Sequence, residues 1–98
     1  MVSENEFEAR KRELETKYKQ AWEQLDKSIL AINYYENTAL NNADTILKTA
    51  GLQLQNGEIN YLEWVMLVNQ ATSIQSQYID AIKNLNSHII EIESFINH

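Results

Sequence analysis

The stretch Asn56-Gly57-Glu58-Ile59-Asn60-Tyr61-Leu62-Glu63-Trp64 holds the one Asn-Gly pair of a chain that has no proline, and it is where the backbone must reverse. Glycine enters the left-handed conformation that ends a helix without a Cβ penalty, so Gly57 after Asn56 marks a helix C-terminus. Just beyond it, Asn60 can accept from the Glu63 amide, Glu63 can answer, and Ile59 can staple onto Trp64, which together mark a helix start. Two opposed signals this close predict a loop over 56–60 between two helices.

Outward from the loop, both flanks carry helical periodicity. Upstream, Leu14, Tyr18, Ala21, Leu25, Ile29, Ile32, Tyr35, Ala39, Ala43, Ile46, Ala50 and Leu54 recur at a mean spacing of about 3.6 residues. Downstream, Trp64, Leu67, Ala71, Ile74, Tyr78, Ile82, Leu85, Ile89, Ile92 and Ile96 do the same. The first helix has its own start signal: Ser3 can cap the Glu6 amide, Glu6 can reach back, and Val2 can staple onto Phe7. Glycine occurs only at 51 and 57, and no β-branched run alternates with period two. The fold expected is all-α: one domain, 1–98, forming a long antiparallel two-helix hairpin, coiled-coil-like, with helices over about 4–55 and about 61–96. A period between those that wind left and right predicts nearly straight helices of roughly 75 and 55 Å.

Two places weaken the first helix. Asn33, Asn37, Asn41 and Asn42 fall within ten positions and are poor helix formers. Continuous helix is the expectation there, with a kink near Asn41 as its alternative. Gly51 costs up to ~1 kcal/mol relative to alanine and marks either a close helix approach or a tolerated weak point.

The second helix carries a second seam: Leu62, Val65 or Met66, Asn69, Thr72, Gln75, Ile79, Asn86 and Ile90. One apolar stripe serves a lone hairpin, so a second implies another helical neighbour; the competing explanation is one wide core stripe. Self-association into a bundle is therefore expected, as a dimer or another oligomer.

Charge narrows the function classes. The net charge is −6; residues 1–31 hold six bases and seven acids, whereas 32–98 hold only Lys48 and Lys83 against seven acids. Nucleic acid needs a basic stripe to displace counterions, and an anionic membrane surface needs the same, so neither is an expected partner. No apolar run reaches the ~20 residues of a membrane-spanning helix. The opening residues lack a signal peptide's basic and apolar regions. Absence of cysteine removes thiolate and disulfide chemistry.

Catalytic and metal-binding patterns are missing too. His88 and His98 are ten apart, and Glu91 and Glu93 near His88 form no metal set with it at i,i+4. Asp80, Glu91 and Glu93 read as a solvated or channel-facing surface rather than an acid/base pair. No phosphate-binding glycine loop, Ser–His–Asp set or nucleophile elbow occurs. No enzymatic activity, metal or cofactor is expected.

Over about residues 30–95 the chain resembles the last helical hairpin of TolC-like outer-membrane efflux proteins, in particular those serving heavy-metal resistance-nodulation-division pumps. The resemblance runs through Asn33-Tyr34-Tyr35-Glu36, Ala39-Leu40, Ala43, Ile46 and Ala50. It continues through the 56–64 stretch and on to Asn69-Gln70-Ala71, Tyr78, Ala81 and Asn86. It implies a non-enzymatic part of a tripartite efflux channel, at the periplasm and outer membrane. Three protomers would build an α-helical tunnel from hairpins packed side by side, with Leu62, Val65, Asn69, Ile79, Asn86 and Ile90 facing a neighbour. The tip residues Asn56, Gly57, Glu58, Ile59 and Asn60 match the positions that dock a periplasmic adaptor protein, through which the pump is reached. Departures exist. Leu54 and Ile59 stand where the best-known member has the Tyr and Arg of its entrance gate, and Asn41 stands where relatives often have proline. The β-barrel strands and the first hairpin have no counterpart here, so the expectation is a cut-out domain or a truncated reading frame. Two other classes compete: a small secreted helical-hairpin protein, which would carry a Trp-x-Gly turn absent here, and a generic coiled-coil interaction module.

Overall fold

The structure, a computed structural model, describes residues 3–97. It is all-α: among the described residues there are two long antiparallel arms and no strand. The first arm begins at Ser3, whose Oγ accepts from the Glu6 amide at 3.2 Å. The staple expected between Val2 and Phe7 involves a residue outside those described. Helix α1 spans Glu4–Tyr34, a π-helical turn follows over Tyr35–Ala39, and α2 spans Leu40–Gln55. The second arm is a single helix, α3, Tyr61–Ile96.

The reversal uses glycine chemistry. Gly57 has φ 75°. Its amide donates to the Leu54 carbonyl at 3.1 Å, and the Glu58 amide donates to Gln53 at 2.8 Å, the bond pair that closes a helix on a left-handed residue. Asn60 then opens α3, its side chain accepting from the Glu63 amide at 2.8 Å. Five residues thus satisfy both helix ends, and the arms fold back along an axis 78 Å long.

Residues at roughly equal distances from Gly57 along the chain face each other across the hairpin. Tyr18 meets Phe95, Ala21 and Leu25 meet Ile92, and Glu36 meets Tyr78. The core is thin and built mainly from alanine: Ala21, Ala39, Ala43, Ala50 and Ala71 are buried, with Leu25 and Ile92. Among the described residues no large side chain is fully buried. Small residues at the contact allow close approach but bury little apolar area. The accessible surface is 7587 Å², against about 5,800 Å² for a compact monomer of this mass.

The expected stripe is therefore only partly covered. Leu14, Ile29, Ile89 and Ile96 belong to it by spacing but are exposed. The physical cause at Leu14 is unequal arms: segments of 31, 5 and 16 residues outrun the 36 of α3, so residues 4–17 project past it. Along this projection Glu13 and Lys17 pair at 3.2 Å on an otherwise solvated face.

The irregularity in the Asn-rich segment also lies elsewhere than Asn41. The helix continues through Asn41, and the departure is the π turn just before it, closed by the Leu40 amide donating to the Tyr35 carbonyl. Asn41 has a supporting role, its Nδ2 donating to the Asn37 carbonyl at 3.1 Å. A widened turn leaves backbone acceptors short of donors, and an amide side chain supplies one.

Candidate functional site: the tip and the outer seam

The tip is a polar loop on an apolar collar. Asn56, Gly57, Glu58 and Asn60 are exposed, and Ile59 is half-buried. Just behind them Leu52, Tyr61, Leu62 and Met66 are all at least 60 % exposed. The ring partner of Trp64 is Tyr61, with centroids 5.6 Å apart. The acids here are Glu58 and Glu63, and no base occurs between Lys48 and Lys83. Lys48 is itself paired with Asp44 at 2.9 Å. Two open grooves lie behind the tip and share Leu67: one with Thr45, Ile46, Thr49, Ala50 and Gln53, the other with Glu63, Met66 and Gln70.

The outer seam of α3 lies on the solvent side of the hairpin. Leu62, Asn69, Ile79, Asn86 and Ile90 are exposed, with Ile79 at 53 % and Ile90 at 64 %. Val65 is half-buried and belongs to the edge of the hairpin's own contact; Met66, its alternative in the seam, is exposed. The exposed members are too open to be the margin of one wide core stripe. They form an uncharged, half-apolar face with no cover from the first arm.

A third cluster joins Tyr34, Tyr35, Glu36 and Tyr78, which the sequence places in the stripes and in the resemblance but not together as a site. At mid-length, Tyr35 Oη donates to Gln77 Oε1 at 3.5 Å, and Tyr78 Oη donates to Glu36 Oε1 at 2.9 Å. Around this pair Tyr34 meets Tyr35 edge-on, and Tyr35 meets Tyr78 with tilted rings. Among the described residues these are the side-chain hydrogen bonds that cross the hairpin, and they sit on the π turn. The bond to Glu36, then burial and the carboxylate's charge, raise the Tyr78 hydroxyl above its ordinary value of 10.0. The signal that could have found it is arithmetic: Glu36 and Tyr78 each stand 21 residues from Gly57.

Among the described residues no three His, Cys, Asp or Glu side chains come together as a metal site. His88 Nδ1 lies 3.9 Å from Glu91 Oε2, beyond hydrogen-bond range. His98 lies outside the described residues. No described helix is long and apolar enough to cross a membrane. Comparison of the chain with protein-family models, with curated proteins and with solved structures gives no match.

Proposed function

We propose that this hairpin is a non-enzymatic assembly element of an efflux channel. In this reading its α3 seam packs against a neighbouring helical hairpin in a periplasmic tunnel wall, and its tip docks a periplasmic adaptor. The observation that carries the reading is the uncharged seam Leu62–Ile90 on the solvent side of α3, which has the composition of a helix contact and no partner within the chain. The exposed tip with its apolar collar supports the docking half, and the resemblance over residues 30–95 supplies the class of partner. Efflux, the heavy-metal pump and the periplasmic location rest on that resemblance alone.

The test is a titration of the purified chain with the helical-hairpin domain of a heavy-metal efflux adaptor, read by calorimetry, beside the chain's mass in solution. Gly57→Val is expected to weaken adaptor binding at least about tenfold, because docking at the tip requires the native loop. Ile79→Glu with Ile90→Glu should leave that binding intact while abolishing lateral self-association. Absence of adaptor binding by the native chain, or binding indifferent to Gly57→Val, would count against the docking role.

A further inference from the structure

The projecting end of α1 carries an apolar stripe that α3 does not reach. Phe7 is 65 % and Leu14 57 % exposed, and they continue the face on which Ala21 and Leu25 pack against Ile92. Where α3 leaves its helix at Asn97, an open groove of about 350 Å³ is lined by Leu14, Glu15, Tyr18 and Phe95. Its floor is aromatic, with Tyr18 edge-on to Phe95 at 5.7 Å.

We infer that this end binds a second copy of the chain, antiparallel and tail to tail, with Phe7 of each copy seated in the other's groove beside Leu14, Tyr18 and Phe95. Three observations converge on that occupant. The first is continuity: a helix laid on this stripe takes the place α3 holds further along, so it extends an existing helix contact. The second is fit: placing Phe7 between Leu14 and Tyr18 of the second copy overlaps residues 4–19 of the two chains, so that each projecting stripe over 4–17 is covered.

The third is charge. Residues 4–19 hold five acids and five bases and are neutral, whereas the rest of the chain carries the whole −6. A tail-to-tail pair holds the two acidic bodies far apart. In the register set by Phe7, Arg10 faces the second copy's Glu13, Glu6 faces its Lys17 and Glu4 faces its Lys19. Glu8 against Glu15 and Lys11 against Arg12 are the like-charged pairs, outnumbered by the three attractive ones. The Glu13–Lys17 pair already present within each chain links these contacts into a network.

So short an overlap buries less than the ~1,200 Å² of ordinary stable interfaces, so the dimer is concentration-dependent. Sedimentation equilibrium and small-angle X-ray scattering on the full chain test it. The expected dimer is about 130 Å long, against 78 Å for one hairpin. Phe7→Ala should raise the dissociation constant about tenfold or more. Arg10→Glu should weaken the dimer, and adding Glu13→Arg should restore it. Phe7 is exposed, so its truncation leaves the hairpin folded. A monomer at every concentration would overturn the inference. So would self-association that at no concentration exceeds 78 Å in length, or that is unmoved by Phe7→Ala and Arg10→Glu, since pairing along the α3 seam alone gives both results.

Discussion

The two glycines, one inside α2 and one in the loop, carry opposite consequences. Gly57 has φ 75°, a conformation that costs an L-residue roughly 1–2 kcal/mol, yet a Cβ built there meets no atom within 4 Å. The penalty of Gly57→Val is therefore purely conformational. It should lower the melting temperature while leaving helical circular dichroism at low temperature unchanged. At Gly51 a Cβ also meets open space, but the backbone is ordinary helix. Gly51→Ala should therefore raise stability by up to ~1 kcal/mol. Melting shifts of the same sign for both variants would contradict this account. Gly57 and Asn60 were legible from sequence because capping is local chemistry, settled by residues a few positions away. Gly51 was not, since close approach and weak point differ only in what lies across the interface, and the structure gives the weak point.

At the scale of elements, a core of alanines holds two arms together with little to distinguish one register from another, and the π turn adds a polar mark. Tyr35 and Glu36 reach consecutive residues of α3, Gln77 and Tyr78. Such polar contacts, here at the solvent-exposed edge of the helix contact, favour one alignment of the two arms over its neighbours. The Tyr78 hydroxyl also makes the hairpin pH-sensitive. Its pKa is raised by the Glu36 bond first, so the folded chain holds this proton more tightly than the unfolded chain. The stabilisation is whole below the ordinary value of 10.0 and is lost as pH rises through the raised one. Thermal melts should show the native chain above Tyr78→Phe at neutral pH, with the gap closing as pH rises beyond 10.0. A gap constant with pH would remove the hydroxyl from the account. Helix existence and direction were readable from period and caps. The π turn was not: its Asn-rich composition weakens helix anywhere between 33 and 42, and only the cross-arm bonds fix where the extra residue is taken up.

Over the whole molecule, stability must fall off from the tip toward the open end. The loop satisfies both helix ends within five residues, the alanine contacts run to the Ala21–Leu25–Ile92 cluster, and beyond Tyr18 the first arm has no helix beside it. An isolated helix of about 14 residues is marginal in water, so residues 4–17 should open far more often than the paired region. Trypsin reads this gradient, because its targets fall on both sides: Arg10, Lys11, Arg12 and Lys17 in the projection, Lys19, Lys27, Lys48 and Lys83 in the paired arms. In dilute solution the first cuts should fall at 10–17, at least about tenfold faster than at Lys48 or Lys83, leaving a folded remainder that mass spectrometry identifies. Raising the concentration should slow those early cuts selectively, since a second copy laid along the projection covers the same residues. Equal cleavage along both arms would mean the projection is as well held as the paired helices. Early cuts that ignore concentration would mean that nothing in solution covers it.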